Sequence, residues 1–559
     1  MNVPCRHCHS PFEISEADLA FYAKVSPVIA GKTYAIPPPT LCPDCRQQRR
    51  LSFRNERNLY KNTCSFSGKT IVSAYSPDKE RPVYENEIWW SDRWDALKSG
   101  QEFSTDKPFF AQMKHLLDIT PLISLSNATS ENSEYSHNAT YNRNCYMLFC
   151  ASFNENCLHS YWIQNSTSCI DSIGLRKCER CYECLDCLRC YDLLYSQDCI
   201  NCTSGAFLWD CMGCTNCVGC TNLRNKTYCW LNEQLTKEEF EKRFATLKQT
   251  REALDAFQQK LQALKLKAIH PWSNQRMNDH CLGNYIVESK NCSICFDARQ
   301  SENCSYCEHV ADMKDSMDVS FFGLPAELLY ECNNLGVGAY HCLFCSYGYG
   351  LKESLYCYNC HFCDHCFGCV SLHHKKFCIL NKQYSEEEYF ALIAKIISHM
   401  ERTGEWSELI PASMSPFGYN ETVANDYFPL NKKEALSQGF VWSDYEPPTP
   451  HVDRVIPAAT LPTLIGEIPD DITNWAIECN ITGKPFRIVR QELEFYRDLK
   501  LPVPHLHPDE RHRRRMALRN PRKLWNRECA KCKESIMTSY SPDRPETVYC
   551  EKCYLEAVY

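Results

Sequence analysis

Glycine is scarce in this chain, at 19 of 559 residues. Nucleotide-binding Rossmann domains need glycine where the backbone turns around a phosphate, so the scarcity speaks against one. No apolar run approaches the roughly 18 residues of a membrane helix. The start, Met1-Asn2-Val3-Pro4-Cys5, has neither the basic segment nor the apolar core of a secretory leader. We therefore expect a cytoplasmic setting without membrane association, where disulfides are rare. A net charge of -8 argues against bulk, non-specific nucleic-acid binding. The length exceeds what one core serves, so several modules are expected.

What the chain has in excess is cysteine, 40 in all. Cys178, Cys181, Cys184, Cys187 and Cys190 form one run, Cys211 to Cys220 a second, and Cys357 to Cys369 a third, each in steps of three. Residues three apart on a flat strand face opposite ways, so such a run lines one interior only if the chain bends between cysteines. Successive opening cysteines from Cys145 to Cys229 are spaced by twelve or nine residues. This spacing predicts a narrow triangular β-solenoid with turns about 4.8 Å apart and three sides of three or four residues. Its axis would admit Cys, Ser, Thr and Ala but not Leu or Phe. Asn144, Asn156, Asp198, Asp210, Asn291 and Asn303, each next to an opening cysteine, suit tight corners. Tyr182, Tyr191, Phe207 and Trp209 would cover the outside. A string of zinc knuckles, or an iron–sulfur site, is the alternative use of the same thiols.

Two internal repeats are visible. Cys211, Cys214, Cys217, Cys220 and Cys229 match Cys360, Cys363, Cys366, Cys369 and Cys378 at a constant offset of 149. The match runs on into Thr236 to Glu239 and Ser385 to Glu388, which read as capping boxes opening helices. Phe240, Phe244, Leu247, Leu254, Phe257, Leu261 and Leu264 give an apolar stripe with which such helices would close the end of a block. The second repeat joins the chain ends at an offset of 465: Pro37 to Asn55 matches Pro502 to Asn520, and Ser73 to Tyr84 matches Thr538 to Tyr549.

The ends carry metal-ligand spacing. Cys529-x2-Cys532 and Cys550-x2-Cys553 stand seventeen residues apart, the pattern of a structural zinc ribbon. Cys5-x2-Cys8 pairs with Cys42 and Cys45, and the residues after Cys45 read as a helix, in a treble-clef pattern. A helix N-terminus there favours thiolate charge. The matching copies keep only Cys479 and Cys64, so two zinc ions are expected. A further zinc in the cysteine blocks stays open. The helix after Cys45 bears Arg46, Arg49, Arg50 and Arg54, which recur as Arg511, Arg514, Arg515 and Arg519. Arginines beside a zinc module suit phosphate contact. A solvated face or pairing with internal carboxylates explains them equally well.

The chain resembles a family of uncharacterised cysteine-rich zinc-ribbon proteins from candidate-phyla-radiation bacteria. The resemblance runs over nearly the whole length and rests on IPPPTLCPDCRQQRRLSFRNER, SAYSPDKERPVYENEIWWSDRWD, ENSEYSHNATYNRNCY, SPFGYNETVANDYFPL and ALRNPRKLWNRECAKC, ending in TVYCEKCYLEAVY. It implies an architecture and a cytoplasmic setting but no reaction. Some members carry a CaiB/BaiF acyl-CoA transferase label, which this sequence does not support, having no glycine-rich CoA-binding pattern and no isolated nucleophile.

The expected fold is multidomain and mostly β with helical caps: a cysteine-lined narrow β-solenoid in two repeated blocks, flanked by treble-clef and zinc-ribbon modules at both ends. In order these are a treble-clef-like zinc module (1–62), a degenerate ribbon (63–124), a first solenoid block (125–232), a helical connector (233–275), a second block (276–381), a helical cap and irregular segment (382–445), a linker (446–475), a zinc-less treble-clef copy (476–528) and a zinc ribbon (529–559). The expected function is a non-enzymatic zinc-binding scaffold that recognises RNA, the ribosome or a protein, with no small-molecule substrate. A metal or thiol redox buffer is the second reading. An enzyme on the solenoid surface, using His137, Glu131 and Glu134, is the third.

Overall fold

A computed structural model describes the chain apart from residues 249, 449–451 and 453. The chain gathers into two compact units, Met1–Leu125 with Ser273–Tyr445, and Ser126–Trp272 with Glu446–Tyr559. Each unit thus joins one cysteine-rich block to one end of the sequence, where nine successive modules were expected. The expected linker 446–475 is also corrected. Arg454–Pro457 pairs in parallel with Trp475–Glu478, and Ile456, Leu461, Ile468 and Ile472 are buried, apolar anchors that its proline content masked. Residues 449–451 and 453 of that segment lie outside the described residues. No helix among the described residues is long and apolar enough to cross a membrane.

In the unit containing residues 126–272, the backbone climbs by parallel pairings between residues twelve apart, from Glu131 with Arg143 to Val218 with Trp230. Every third residue bends in the left-handed region; Asn144, Met147, Cys150, Phe153 and Asn156 have φ of 52, 52, 53, 59 and 53°. Each turn therefore has four sides of three residues. The first residue of a side faces inward, the second bridges to adjacent turns and the third makes the bend. The nine-residue coil and the triangle are thereby corrected to a uniform twelve-residue, four-sided turn. Nine-residue gaps between neighbouring cysteines arise because other residues, as Leu193 with Ser196 and Gly205 with Leu208, occupy the inward places in between.

The axis also admits leucine, contrary to expectation. Cys181, Cys184, Cys187 and Cys190 fill one turn, Leu193, Ser196, Cys199 and Cys202 the next, and Gly205, Leu208, Cys211 and Cys214 the one after; the cysteines and leucines among them are at most 2% exposed. A large residue in one turn is balanced by a small one beside it. A Cβ on Gly205 would lie 2.8 Å from the Cys217 carbonyl oxygen and 3.0 Å from Leu208 Cδ1.

Hydrogen bonding explains why the inward residues are so often Cys, Ser or Asn. The bridging and bending N–H groups find backbone partners, as Leu158 N to Cys169 O and His159 N to Tyr146 O, both 3.0 Å. The inward N–H points into the interior, where only side chains can receive it. Leu208 N donates to Ser196 Oγ at 3.1 Å, Cys178 N to Ser166 Oγ at 3.2 Å and Cys169 N to Cys157 Sγ at 3.4 Å, each acceptor standing one turn earlier. The thiols donate in turn to carbonyls; Cys178 Sγ reaches Arg176 O and Cys187 O, each at 3.4 Å. Every cysteine is free of disulfide bonding.

The other unit repeats this arrangement over residues 275–379, with Cys342 against Ser354 and Cys366 against Cys378. The step widens to thirteen between Ala326 and Ala339, just after Phe321, Phe322, Gly323 and Leu324, all with positive φ. Both coils end alike. Asn232 Oδ1 accepts from Thr221 N and Asn381 Oδ1 from Val370 N, at 2.9 and 2.8 Å. A short antiparallel strand then covers the last rung, and a helix follows. Lys237–Leu247 and Glu386–Thr403 open on capping boxes at Thr236 and Ser385, at the positions where the sequence carries them. Phe257 of the next helix, Arg251–Lys267, packs on Phe207 at 4.9 Å between ring centroids.

In the first unit, the helix Asn86–Trp89 and its continuation dock on the coil through aromatic rings. Trp90 stacks on His373 at 5.0 Å and Trp89 meets it edge-on at 4.0 Å. Burial pushes the His373 imidazole down to about 4, and His361 on the adjacent rung well below its usual range.

Two outcomes follow from this packing. Ser196→Ala removes the acceptor for Leu208 N–H and should lower stability by about 1–3 kcal/mol, while Ser196→Cys should cost less; urea denaturation measures both. A folded pKa for His373 below its unfolded value near 6.5 means that the unfolded chain takes up protons first as pH falls. The stability this group contributes is therefore present above about pH 6.5 and is lost on acidification toward pH 4. His373→Phe should flatten the fall in urea midpoint between pH 7 and 5.5 relative to wild type.

Candidate metal centres and the arginine clamps

The two terminal cysteine quartets are built from the same local parts. In the first, the hairpin Asn2–Pro4 and Pro11–Glu13 carries Cys5 and Cys8 at its knuckle, and Cys42 is the N-cap of the helix Pro43–Leu51. Pro43 at the first helical position fixes the entry of that helix. In the second, the hairpin Trp525–Glu528 and Ser535–Thr538 leads from Cys529 and Cys532, and Cys550 is the N-cap of Glu551–Val558. Within each quartet all four Sγ atoms lie within 4.8 Å of one another. Cys8 and Cys42 are 3.6 Å apart, and Cys532 and Cys550 are 3.7 Å apart. Four sulfurs at about 2.3 Å from a tetrahedral zinc would stand roughly 3.8 Å from each other.

Backbone amides already point at the sulfurs. Cys42 N donates to Cys5 Sγ and Cys550 N to Cys529 Sγ, each at 3.3 Å. Hydrogen bonding from the Cys45 thiol, with backbone and neighbouring-thiol donors, outweighs burial and brings Cys42 down to about 5. Burial pushes Cys529 up, but the backbone donors of Cys532, Cys550 and Lys531 bring it to about 6. Three members of each quartet are buried, while Cys8 and Cys532 are exposed. The donor set fits a metal ion such as zinc at both ends.

The matching copies keep the amide scaffold but lack the ligands. Cys64 Sγ accepts from Ser67 N at 3.5 Å and Glu85 N at 3.4 Å, with Ser67, Glu85 and Ile88 at the places of three cysteines. Cys479 is likewise held by the His507 and Thr482 amides, with Glu510 at the fourth place. Among the described residues, the two terminal quartets alone bring three or more such ligands within 4.8 Å.

The arginines stand where carboxylates, not phosphates, meet them. Arg46, Arg50, Arg54, Arg511 and Arg515 are between 1% and 3% exposed. Arg46 Nε and Arg50 Nη1 both bind Asp318, at 2.8 and 3.0 Å. Arg50 also reaches Glu331, and Arg49 bridges Glu331 and Glu408 at 3.0 Å each. Arg54 pairs with Glu56 and lies over the Phe321 ring. In the other unit Arg511 and Arg515 share Asp171, Arg511 reaches Glu492, and Arg515 reaches Glu183 at 2.9 Å. Arg519 pairs with Asp186 at 2.9 Å. Of the eight, Arg514 is open, 54% exposed at its side chain beside Glu510. Phosphate contact by the buried members is thus corrected: their guanidiniums are spent inside the fold.

Sequence reading missed the receiving carboxylates. Asp171, Glu183, Asp318 and Glu331 are bend residues with φ of 51, 53, 56 and 50° on adjacent turns. The available signal was acidic residues at the bend phase of the triplet, twelve or thirteen apart. His137, weighed as a catalytic group, is buried and its Nδ1 accepts from Ser126 N at 3.0 Å, a turn-closing contact.

No protein-family model matches the chain, and no curated protein does. Among solved structures, one described as an acetyltransferase from Desulfovibrio desulfuricans G20 aligns over 43% of this chain and 65% of its own, at 10% identity and a TM-score of 0.10. That score is too low to transfer a fold.

Removing one partner of a buried ion pair leaves the others uncompensated. Asp318→Ala should therefore cost about 3–5 kcal/mol, and Asp171→Ala a similar amount in its own unit. Arg514→Ala should change stability by less than about 1 kcal/mol. Denaturant midpoints compared across the three variants check this order.

Proposed function

We propose that the chain is a non-enzymatic scaffold: two cysteine-cored β-solenoid units, each closed by a zinc-bearing end module, that present open faces to a protein partner. The observation that carries this reading is the division of the cysteines. Coil thiols other than the half-buried Cys150 and Cys281 are buried and spent on carbonyl and amide contacts, and among the described residues ligand convergence is confined to the ends. That division favours packing over metal or thiol buffering in the coils. Two repeated blocks, proposed from the sequence, are supported by the matching Asn232 and Asn381 closures and by the two arginine–aspartate clamps.

Zinc would be held by Cys5, Cys8, Cys42 and Cys45 at one end and by Cys529, Cys532, Cys550 and Cys553 at the other. It would supply a structural cross-link, fixing each hairpin to the helix beside it. At the first end that helix carries Arg46 and Arg50, so metal and clamp act on the same element.

A protein is favoured over nucleic acid as the partner. The buried arginines are neutralised, and the open bridging column of the first unit alternates in sign. It runs Lys290, Glu302, Lys314, then Glu327, Tyr340, Lys352, Asp364 and Lys376 on consecutive rungs. An anionic backbone gains little from such a face. The exposed Tyr340, and Tyr191 on the equivalent column of the other unit, suit a protein contact.

Elemental analysis should find two zinc ions per chain, falling to one in Cys8→Ser and one in Cys532→Ser. Thiol titration of the native protein should leave the coil cysteines other than Cys150 and Cys281 unreacted until denaturant is added. More than two tightly held metals, or rapid native reaction of the coil thiols, would sink the scaffold reading in favour of a buffer.

A further inference from the structure

One face of the coil in residues 275–379 carries its charges in an order that reads the same from either end once their signs are exchanged. On consecutive rungs the bridging residues are Glu302, Lys314, Glu327, Tyr340, Lys352, Asp364 and Lys376. Lys314 and Glu327 belong to adjacent turns, because Leu329 N donates to Ser316 Oγ one turn earlier, at 3.1 Å. Counted outward from Tyr340, each rung on one side bears the charge opposite to the rung at the same distance on the other. Glu327 answers Lys352, Lys314 answers Asp364, and Glu302 answers Lys376. Tyr340 at the centre is 42% exposed, and Val337 at the bend before it is 47% exposed. The three lysines are exposed and the three carboxylates half-buried. Asp364 and Lys376 pair along the column at 3.3 Å. Among the described residues, Glu302, Lys314, Glu327 and Lys352 form no ion pair within 4.0 Å. Their charges are not spent within the chain.

We propose that this face is the contact between two copies of the chain, packed antiparallel about a two-fold axis that passes beside Tyr340. Such an axis sets every rung against its counterpart across Tyr340 in the second copy. Each charged rung then meets the opposite sign, and Tyr340 and Val337 meet their own copies at the centre. Two-fold packing with the coils parallel would oppose like charges on every charged rung, so the column disfavours it. The equivalent column of the other unit has no such order. There Glu179 lies on one side of Tyr191, and Thr203, Thr215 and Thr227 lie on the other. The inference rests on the scaffold reading and supplies its protein partner. A face of three residues across, about 10 Å, and rungs about 4.8 Å apart is small for a permanent interface. The dimer should therefore be of micromolar affinity and sensitive to salt.

Sedimentation equilibrium of the full-length protein tests this. Wild type should reach twice the 64.9 kDa of one chain at low ionic strength and dissociate in salt of about 1 M. Glu327→Lys and Lys352→Glu each set like charges across the axis at two symmetry-related places, and each alone should weaken the dimer about tenfold or more. Mixed in equal amounts, the two variants should recover affinity to within about threefold of wild type, since each meets the opposite charge in the other. Tyr340→Asp should dissociate the dimer, and Glu179→Lys on the other unit's column should leave it intact. Circular dichroism and metal content should match wild type in every variant. A monomer at every concentration, an assembly larger than two chains, a dimer indifferent to Glu327→Lys, or a mixture that does not recover would each overturn the proposal. A monomer that holds two metals and protects its buried coil thiols overturns the dimer and not the scaffold reading.

Discussion

One unsatisfied group governs the architecture: the amide N–H of every inward residue. Two N–H groups of each three-residue side are taken by neighbouring turns, and the third points to an axis that water does not reach. Leaving it bare costs on the order of 1–3 kcal/mol per group, and the demand recurs at every side of every turn. A side chain that answers it must be small enough to share a four-membered layer and must offer an acceptor. Serine, asparagine and cysteine meet both conditions. Cysteine adds a weakly polar sulfur that packs like a hydrocarbon and tolerates the long contacts seen here. The cysteine content follows from packing before any metal is considered.

The same geometry fixes what lies outside. A left-handed bend every third residue carries a steric cost of roughly 1–2 kcal/mol for an ordinary side chain, less for Asn and Asp. Stacked pairing and burial must offset it, so the coil is stable only while its turns stay in register and its ends are covered. The last rung of each coil is closed by an asparagine, a reversed strand and a capped helix, and each flank receives a helix whose arginines fasten to bend carboxylates. Burying those charges costs energy, and pairing largely returns it. The gain is a fixed position for the end module rather than stability as such.

Much of this was legible in the residues, and the limits have physical causes. The triplet cysteines announced a bending interior, the asparagines its corners, Thr236 and Ser385 the helix starts, and the CxxC pairs the terminal quartets. The length of the turn was not legible from cysteines alone, because Ser196, Leu208 and Gly205 occupy the same inward phase and leave gaps that mimic a nine-residue repeat. Leucine was excluded by assuming equal side chains in each layer, whereas the layers trade volume between neighbours. The arginines were ambiguous because their partners lie far away in sequence; Arg46 and Asp318 are joined only by folding. For the same reason, the assembly of residues 1–125 with 273–445 left no local trace.

Where no full quartet forms, other contacts hold the end segments to the coil. Where Cys479 stands without three companions, the nearby helix Pro508–Met516 is held by Arg511 and Arg515 on Asp171, and Glu492 supplies a further carboxylate. Where Cys64 stands alone, the amides of Ser67 and Glu85 still grip its sulfur, and aromatic docking of Trp89 and Trp90 on His361 and His373 holds the segment to the coil. The arginine clamp is present in both units, so it holds its helix with or without a quartet beside it, and the Cys64 segment is held by aromatic contacts instead. Each unit has one quartet and one joint without a quartet, so neither depends on metal at every joint.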